Sequence, residues 1–448
     1  MTLIIVIILL LGYILIATSS ITRINKAASA MFAGTVGWVL YICWGTDYVM
    51  SQHPNEYIDW LAGANATSVA VKQYIAENIF LNYVGKGAEI VLFLLATMTI
   101  VEILNNNGCF DFLTQTMRTR NSRKLLWVIT AITFIISANL DNITTTTMML
   151  MIMHDIVPSR RQRMIYGSAI IIAANCGGAL TVIGDTTGLL LWTNSMVTAT
   201  DFSMTLMIPC LISWIVPTLW LSRMLPERID SQWRTMPYRG DDTNLKIWQR
   251  LVMLIVGIGG LWFIPTFHNI TKLSPFIGAL CVLSVLWIVN EVMNSKMMDV
   301  DKMIQRRVPF VLQYGVVQLA LFVMGIMLAI GVVQETGVIA WLSRWCSENI
   351  HNVWLMGVIA AAFSTVLDTF ASALSFISLF PDFPLNAIYW KIIAYSTAMG
   401  GSTLMIGSVA GLALMKMEHI RVGWYLRNIG WVVILSWLMG MAVLYMMN

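Results

Sequence analysis

NCGGALTVIGD at residues 175–185 and AMGGSTLMIGS at residues 398–408 decide the fold, because each carries a Gly-Gly pair and an Ile-Gly pair at the same spacing. Both lie inside apolar stretches, 165–197 and 387–416, that are long enough to cross a bilayer but are broken by glycines and hydroxyl side chains. Upstream of each, at similar distances, Leu140-Asp141 matches Leu367-Asp368. These aspartates sit at the polar centres of two further apolar runs, 125–157 and 353–380. A bilayer core needs roughly 20 apolar residues per helix. The two runs are too long for one crossing and too short for two, which is how a re-entrant hairpin looks in sequence.

Working outward, plain spans fall at 2–19, 28–46, 89–106, 204–222, 246–264, 275–293, 309–331 and 428–447. The order helix, helix, helix, hairpin, broken helix, helix then occurs twice, over 1–222 and 246–448, joined by a linker at 223–245. Before each hairpin stands a short helix opened by Gly108 or Gly337. The expected fold is an all-α polytopic membrane protein, an inverted repeat of about five transmembrane helices plus one re-entrant hairpin per half, each half with one broken helix.

Composition agrees. The chain of 448 residues is 58% hydrophobic and 11% charged, against about 25% charged for a soluble protein. Its net charge of +4 does not suggest nucleic acid. Basic residues cluster at Arg23/Lys26, Arg118–Lys124, Arg160–Arg163, Arg223–Arg239, Lys296–Arg307 and Lys416–Arg427. Cytoplasmic loops collect Lys and Arg. All six clusters fall on one side only if the first hairpin enters from the cytoplasm and the second from outside, which leaves both termini outside. The opening run lacks a basic start, so it reads as an uncleaved first helix rather than a signal peptide. The longest loop, 47–88, lies outside, and its part 67–83 reads as an interfacial helix without chemistry. Six scattered cysteines imply neither a disulfide framework nor a metal site.

In lipid, unwound backbone survives only where protein or an aqueous cavity surrounds it, so the four breaks are expected to converge. Their side chains are hard oxygen donors: Asp141, Asn142 and Thr145 at the first tip, Asn175, Asp185 and Thr186 along the first broken helix, and Ser364, Asp368 and Ser396 in the second half. Such a set suits a small hard cation held at Asp141, Asp185 and Asp368, by analogy with other oxygen-liganded ions. No Arg or Lys lies near a break in the sequence to neutralise an organic anion. A carboxylate in low dielectric is costly to ionise, so proton and cation compete for it and exchange follows. The bland alternatives differ by residue type. A Ser or Thr in a membrane helix usually bonds its own backbone or a neighbouring helix, whereas an intramembrane Asp is costly and points to function. Glu102 and Glu335 read as accessory acidic positions that a snorkelling or solvated role also explains. The many Trp and Met read as interfacial belts and core filler.

Taken together, Ser137–Thr147, NCGGALTVIGDTT at 175–187 and the segments around Asp368 and Gly400-Gly401-Ser402 resemble the NhaD-type sodium:proton antiporters of the ion transporter superfamily, which also holds citrate, dicarboxylate and arsenite carriers. The resemblance covers nearly the whole chain. It implies a secondary transporter, not an enzyme, that exchanges cytoplasmic sodium, often lithium too, for external protons. It further implies a bacterial inner membrane, no cofactor beyond the transported ions, and a homodimer with scaffold helices at the interface. The superfamily's dicarboxylate carriers have Ser-Asn-Thr tips, whereas both tips here carry Asp. A sodium-coupled anion symporter or an arsenite carrier is the rival on the same fold. An intramembrane aspartyl protease fails because Val182 stands where Gly-x-Gly-Asp needs its first glycine.

Overall fold

The computed structural model describes residues 2–22, 24–62, 65–117, 119–228, 245–294, 315–350 and 352–447. Most of the linker 223–245, the start of the span 309–331 and the basic residues Arg23, Arg118, Arg234, Arg239 and Lys296–Arg307 lie outside that set. Among the described residues there is no strand, only a single bridge pairing Asn121 with Arg228.

The helices that matter are α1 (Thr2–Ala17), α2 (Lys26–Cys43), α3 (Ser68–Asn106), α4 (Ser122–Asn139), α5 (Asn142–Ile156), α6 (Arg160–Leu180), α7 (Thr186–Thr193), α8 (Ala199–Met224), α9 (Ile247–Thr271), α10 (Pro275–Asn294), α11 (Gly315–Glu335), α12 (Val353–Val366), α13 (Thr369–Leu379), α14 (Ile388–Leu404), α15 (Val409–Glu418) and α16 (Val422–Met447). Eight of the described helices are long and apolar enough to cross a membrane. Residues 67–83 do not form a separate interfacial helix. Ser68 onward runs straight into the span as one helix of 39 residues, because nothing between Ile75 and Leu81 breaks it and a widened turn at Ile75–Phe80 absorbs the offset.

The hairpins and broken helices stop and restart where the sequence changes from apolar to oxygen-bearing. Each restart is capped by a side-chain oxygen. Asp141 accepts from the Thr144 amide, Asp185 from Thr187, Asp368 from Phe370 and Ser408 from Gly411. A capping oxygen satisfies one of the amides that a helix start leaves without a partner, and this is what lets an apolar run break inside the fold. The short helices before the hairpins follow Gly108 and Gly337, whose φ angles of 68° and 76° lie in the left-handed region that glycine enters without steric cost.

The two halves make the same stitches. The Asn142 amide donates to the Gly184 carbonyl at 3.2 Å, and the Thr369 amide to that of Gly407 at 3.1 Å. Ser137 Oγ donates to the Ala174 carbonyl at 2.6 Å, and Ser364 Oγ to that of Thr397 at 2.7 Å. A side chain at Gly177 would collide with the Phe134 carbonyl, and one at Gly400 with the Ala361 carbonyl. The matched glycines therefore exist to let α6 lie against α4 and α14 against α12.

Two packing units result. Hairpins and broken helices gather around α6 and α14 with α8 and α16 beside them, while α1, α2, α3, α9, α10 and α11 form a second bundle. Of the most apolar stretch of α6, 83% is buried, against 22% for α9 and α10. So α6 is the core of its unit, and α9 and α10 present Trp262, Phe263, Ile270, Ile288 and Val292 outward. A soluble protein does not expose an apolar face of that extent; lipid does not penalise it. The units meet where α13 packs on α11 and α7 on α3, and where the Tyr13 hydroxyl meets Ser375 Oγ at 2.8 Å.

Candidate cation site

Asp141, Asp185 and Asp368 are all buried, at 4%, 7% and 3% exposure. They are therefore held by protein, and their partners determine what each can do. At the first tip, Asp141 Oδ2 accepts from both the amide (2.8 Å) and the hydroxyl (2.9 Å) of Thr144. Its other oxygen, Oδ1, has no hydrogen-bond partner, and neither do Thr145 Oγ1 and Thr146 Oγ1 one turn along α5. The neighbouring break joins this tip: Asn142 Nδ2 donates to Asp185 Oδ1 at 3.0 Å, the Thr187 amide to Asp185 Oδ2 at 3.3 Å, and Thr181 Oγ1 to the Ala138 carbonyl. Thr187 Oγ1 is also buried without a partner. Among the described residues neither Asp141 nor Asp185 is ion-paired, so two carboxylates are held by neutral donors alone.

The second tip is built differently. Asp368 Oδ1 accepts from the Phe370 amide at 3.1 Å, and Oδ2 lies 3.4 Å from the Lys26 ammonium. This corrects the expectation that no basic residue lies near a break. Lys26 reads in sequence as part of a cytoplasmic basic cluster, but it is the first residue of α2 and the fold carries it to a hairpin tip 342 residues away. Among the described residues no three acidic, histidine or cysteine side chains form a group able to hold a metal ion.

The other residues named from sequence divide. Asn175 is buried and donates to Ser402 Oγ at 2.7 Å, tying the two broken helices together. Thr186 is buried at the first turn of α7 beside Asp185. Ser364 staples its hairpin to α14, as described above. Ser396 faces α16 instead, accepting from Trp437 Nε1 at 3.3 Å. Glu102 is half-buried near the end of α3. Glu335, at the end of α11, accepts from the Tyr83 hydroxyl and lies 2.8 Å from His53 Nε2, while Glu56 sits 2.9 Å from the other ring nitrogen. Burial works against a charge on His53, but the flanking carboxylates Glu335 and Glu56 together outweigh it and hold the imidazole pKa above its ordinary value. Glu335 thus closes a separate cluster with His53, Glu56 and Tyr83 rather than joining the tips.

Sequence reasoning missed Lys26 and the Arg163–Glu418 pair (2.7 Å), where a buried carboxylate at the end of α15 meets the start of α6. It counted Thr144, Thr146 and Thr187 among the oxygen donors of the breaks without placing them in the transport site. The TTTT run after Asp141 was the available signal, since four successive hydroxyls on a helix place at least one on each face.

Comparison with known proteins follows the same lines. A family model described as "Citrate transporter" matches residues 1–379. "Sodium/proton antiporter 2" of Arabidopsis thaliana is 30% identical over 377 residues, covering 83% of this chain and 87% of that protein. "Sodium/proton antiporter 1" of the same plant is 31% identical over 374 residues, 82% of this chain, and the match spans 62% of that longer protein. "Na(+)/H(+) antiporter NhaD" of Vibrio cholerae is 24% identical over 463 aligned positions, covering 98% of this chain and 90% of that protein.

Proposed function

This chain belongs to the citrate transporter family of membrane carriers, and we propose that it exchanges cytoplasmic sodium, and lithium in its place, for external protons at the first hairpin tip. One observation carries the reading. Asp141 Oδ1, Thr145 Oγ1, Thr146 Oγ1 and Thr187 Oγ1 are buried without a hydrogen-bond partner, in a region that already holds two unpaired carboxylates. An unsatisfied buried polar group costs about 1–3 kcal/mol, so a ligand reached by Asp141 Oδ1 and its neighbouring hydroxyls would offset part of that cost.

The donor set defines that ligand. It is all oxygen and carries formal negative charge, which suits a hard cation. Two nearby carboxylates in low dielectric do not both stay ionised unless a positive charge neutralises them. Either a sodium ion or a proton supplies it. Sodium entering at Asp141 and Asp185 displaces the proton, a returning proton displaces sodium, and exchange needs no further machinery. Asn142 and the Thr187 amide keep Asp185 turned to the tip, and Asn175 keeps the two broken helices in register. The names of the plant and bacterial relatives agree with this chemistry.

The same reading takes 1–222 and 246–448 as halves of an inverted repeat, supported by the matched stitches, with the hairpin-bearing unit moving against the bundle of α1–α3 and α9–α11. It places the protein in a bacterial inner membrane with both termini outside. It makes the protein a homodimer, for which the outward apolar faces of α9 and α10 are the available surface.

The test is a sodium jump on proteoliposomes with an internal pH dye. Sodium-dependent proton movement without uptake of labelled citrate or succinate supports antiport. Uptake of labelled dicarboxylate driven by sodium, with no proton movement, sinks the reading in favour of anion symport.

A further inference from the structure

Lys26 has no place in the exchange just described, yet its side chain is only 12% exposed at a hairpin tip. Its position is electrostatically unfavourable in isolation. It is the first residue of α2, where the helix dipole already presents partial positive charge, and its ammonium is largely removed from water. Asp368 resolves both problems. It caps α13, where a negative charge is favoured, and it gives its second oxygen to Lys26. The awkward charge at one helix start is thereby met by the favoured charge at another.

The two tips can be overlaid position by position. Asp141 and Asp368 each follow a Leu and cap the returning limb, and each is followed four residues later by a buried hydroxyl without a partner, Thr145 Oγ1 and Ser372 Oγ. At the first tip the carboxylate oxygen that does not cap the helix is unpartnered; at the second it holds an ammonium. We propose that Lys26 is a tethered cation that fills, in the second half, the place the transported ion takes in the first. Asp368 is then a positioning residue that keeps Lys26 seated, and the protein carries one cation per cycle at one tip. This rests on the antiport reading and adds to it the reason why a two-fold fold carries a one-sided site.

The charges make the inference testable as a pair. Asp368→Asn leaves an ammonium unbalanced beside the hairpin-bearing unit, where it repels a sodium ion approaching Asp185; the KM for sodium rises about tenfold, the effect of one poorly screened like charge. Lys26→Met in the same chain removes that ammonium, and the KM returns to within about threefold of wild type, since charge pairs in contact are strongly non-additive. Lys26→Met alone opens Asp368 to sodium and makes the sodium dependence biphasic, while Lys26→Arg restores a single phase. Rates are read as sodium-driven dequenching in everted vesicles, with sodium-22 binding to the purified variants as a second measurement that does not depend on turnover. If Asp368→Asn is as impaired in the double variant as alone, Asp368 is itself a sodium ligand and the proposal falls. A wild-type protein that ignores sodium defeats the antiport reading instead, so the two failures are distinct.

Discussion

The tips at Leu140-Asp141-Asn142 and Leu367-Asp368-Thr369 share backbone stitches, glycine contacts and capping geometry, yet their carboxylates meet opposite fates. Asp141 faces hydroxyls and an unfilled hydrogen-bond position, whereas Asp368 faces a lysine from another bundle. Backbone pattern and electrostatic role are thus separable. Both tips have an oxygen cap and lie beside a close-packed Gly-Gly pair. What the capping carboxylate then does depends on the charge brought against it, and a repeat is free to diverge there without disturbing the fold.

The largest expected effect breaks the comparison outright. Asp141→Asn removes the anionic group from the unpaired tip. Losing one partner of a buried charge contact costs about 3 kcal/mol or more, so sodium-dependent exchange falls about 100-fold, measured by dequenching across a sodium titration. Exchange at the wild-type rate would show that the first tip does not hold the ion.

Next in size is a change that treats both halves alike. Gly177→Ala and Gly400→Ala each drive a methyl group into a facing carbonyl, of Phe134 and of Ala361. Overpacking of this kind costs about 1–3 kcal/mol. Both variants should lower the thermal midpoint of the detergent-solubilised protein by a similar amount. Unequal losses would show that the stitches are not energetically equivalent.

The smallest effect sharpens the contrast. Thr145→Val and Ser372→Ala delete the matched hydroxyls, neither of which has a partner in the protein. A ligand-facing hydroxyl is worth about 1 kcal/mol, so Thr145→Val should raise the KM for sodium about fivefold. Ser372→Ala should leave it within about twofold, because Lys26 already neutralises that tip. Thermal midpoints should barely move in either case. Equal KM effects at the two positions would mean that the ion also visits the second tip.

Much of this was legible in the chain. Helix restarts at Asp141, Asp185, Asp368 and Ser408 lie in the apolar runs where the sequence turns polar, since each is governed by residues within a few positions: a cap, a glycine pair, an apolar run. The aspartates stood out for the same local reason, as charges in lipid-length segments. The external helix was misread because hydropathy does not show whether a moderately polar stretch continues a span. Lys26 was misread because a lysine after a first span looks like any cytoplasmic anchor.

Sequence by itself determined the all-α membrane-spanning class and the three carboxylates buried at helix breaks, because helix breaks and apolar spans are decided by short-range composition. Only the tertiary structure decided which carboxylate is open and which is matched. Charge compensation acts through space, and the ammonium that closes the second tip comes from a helix 342 residues away in the chain.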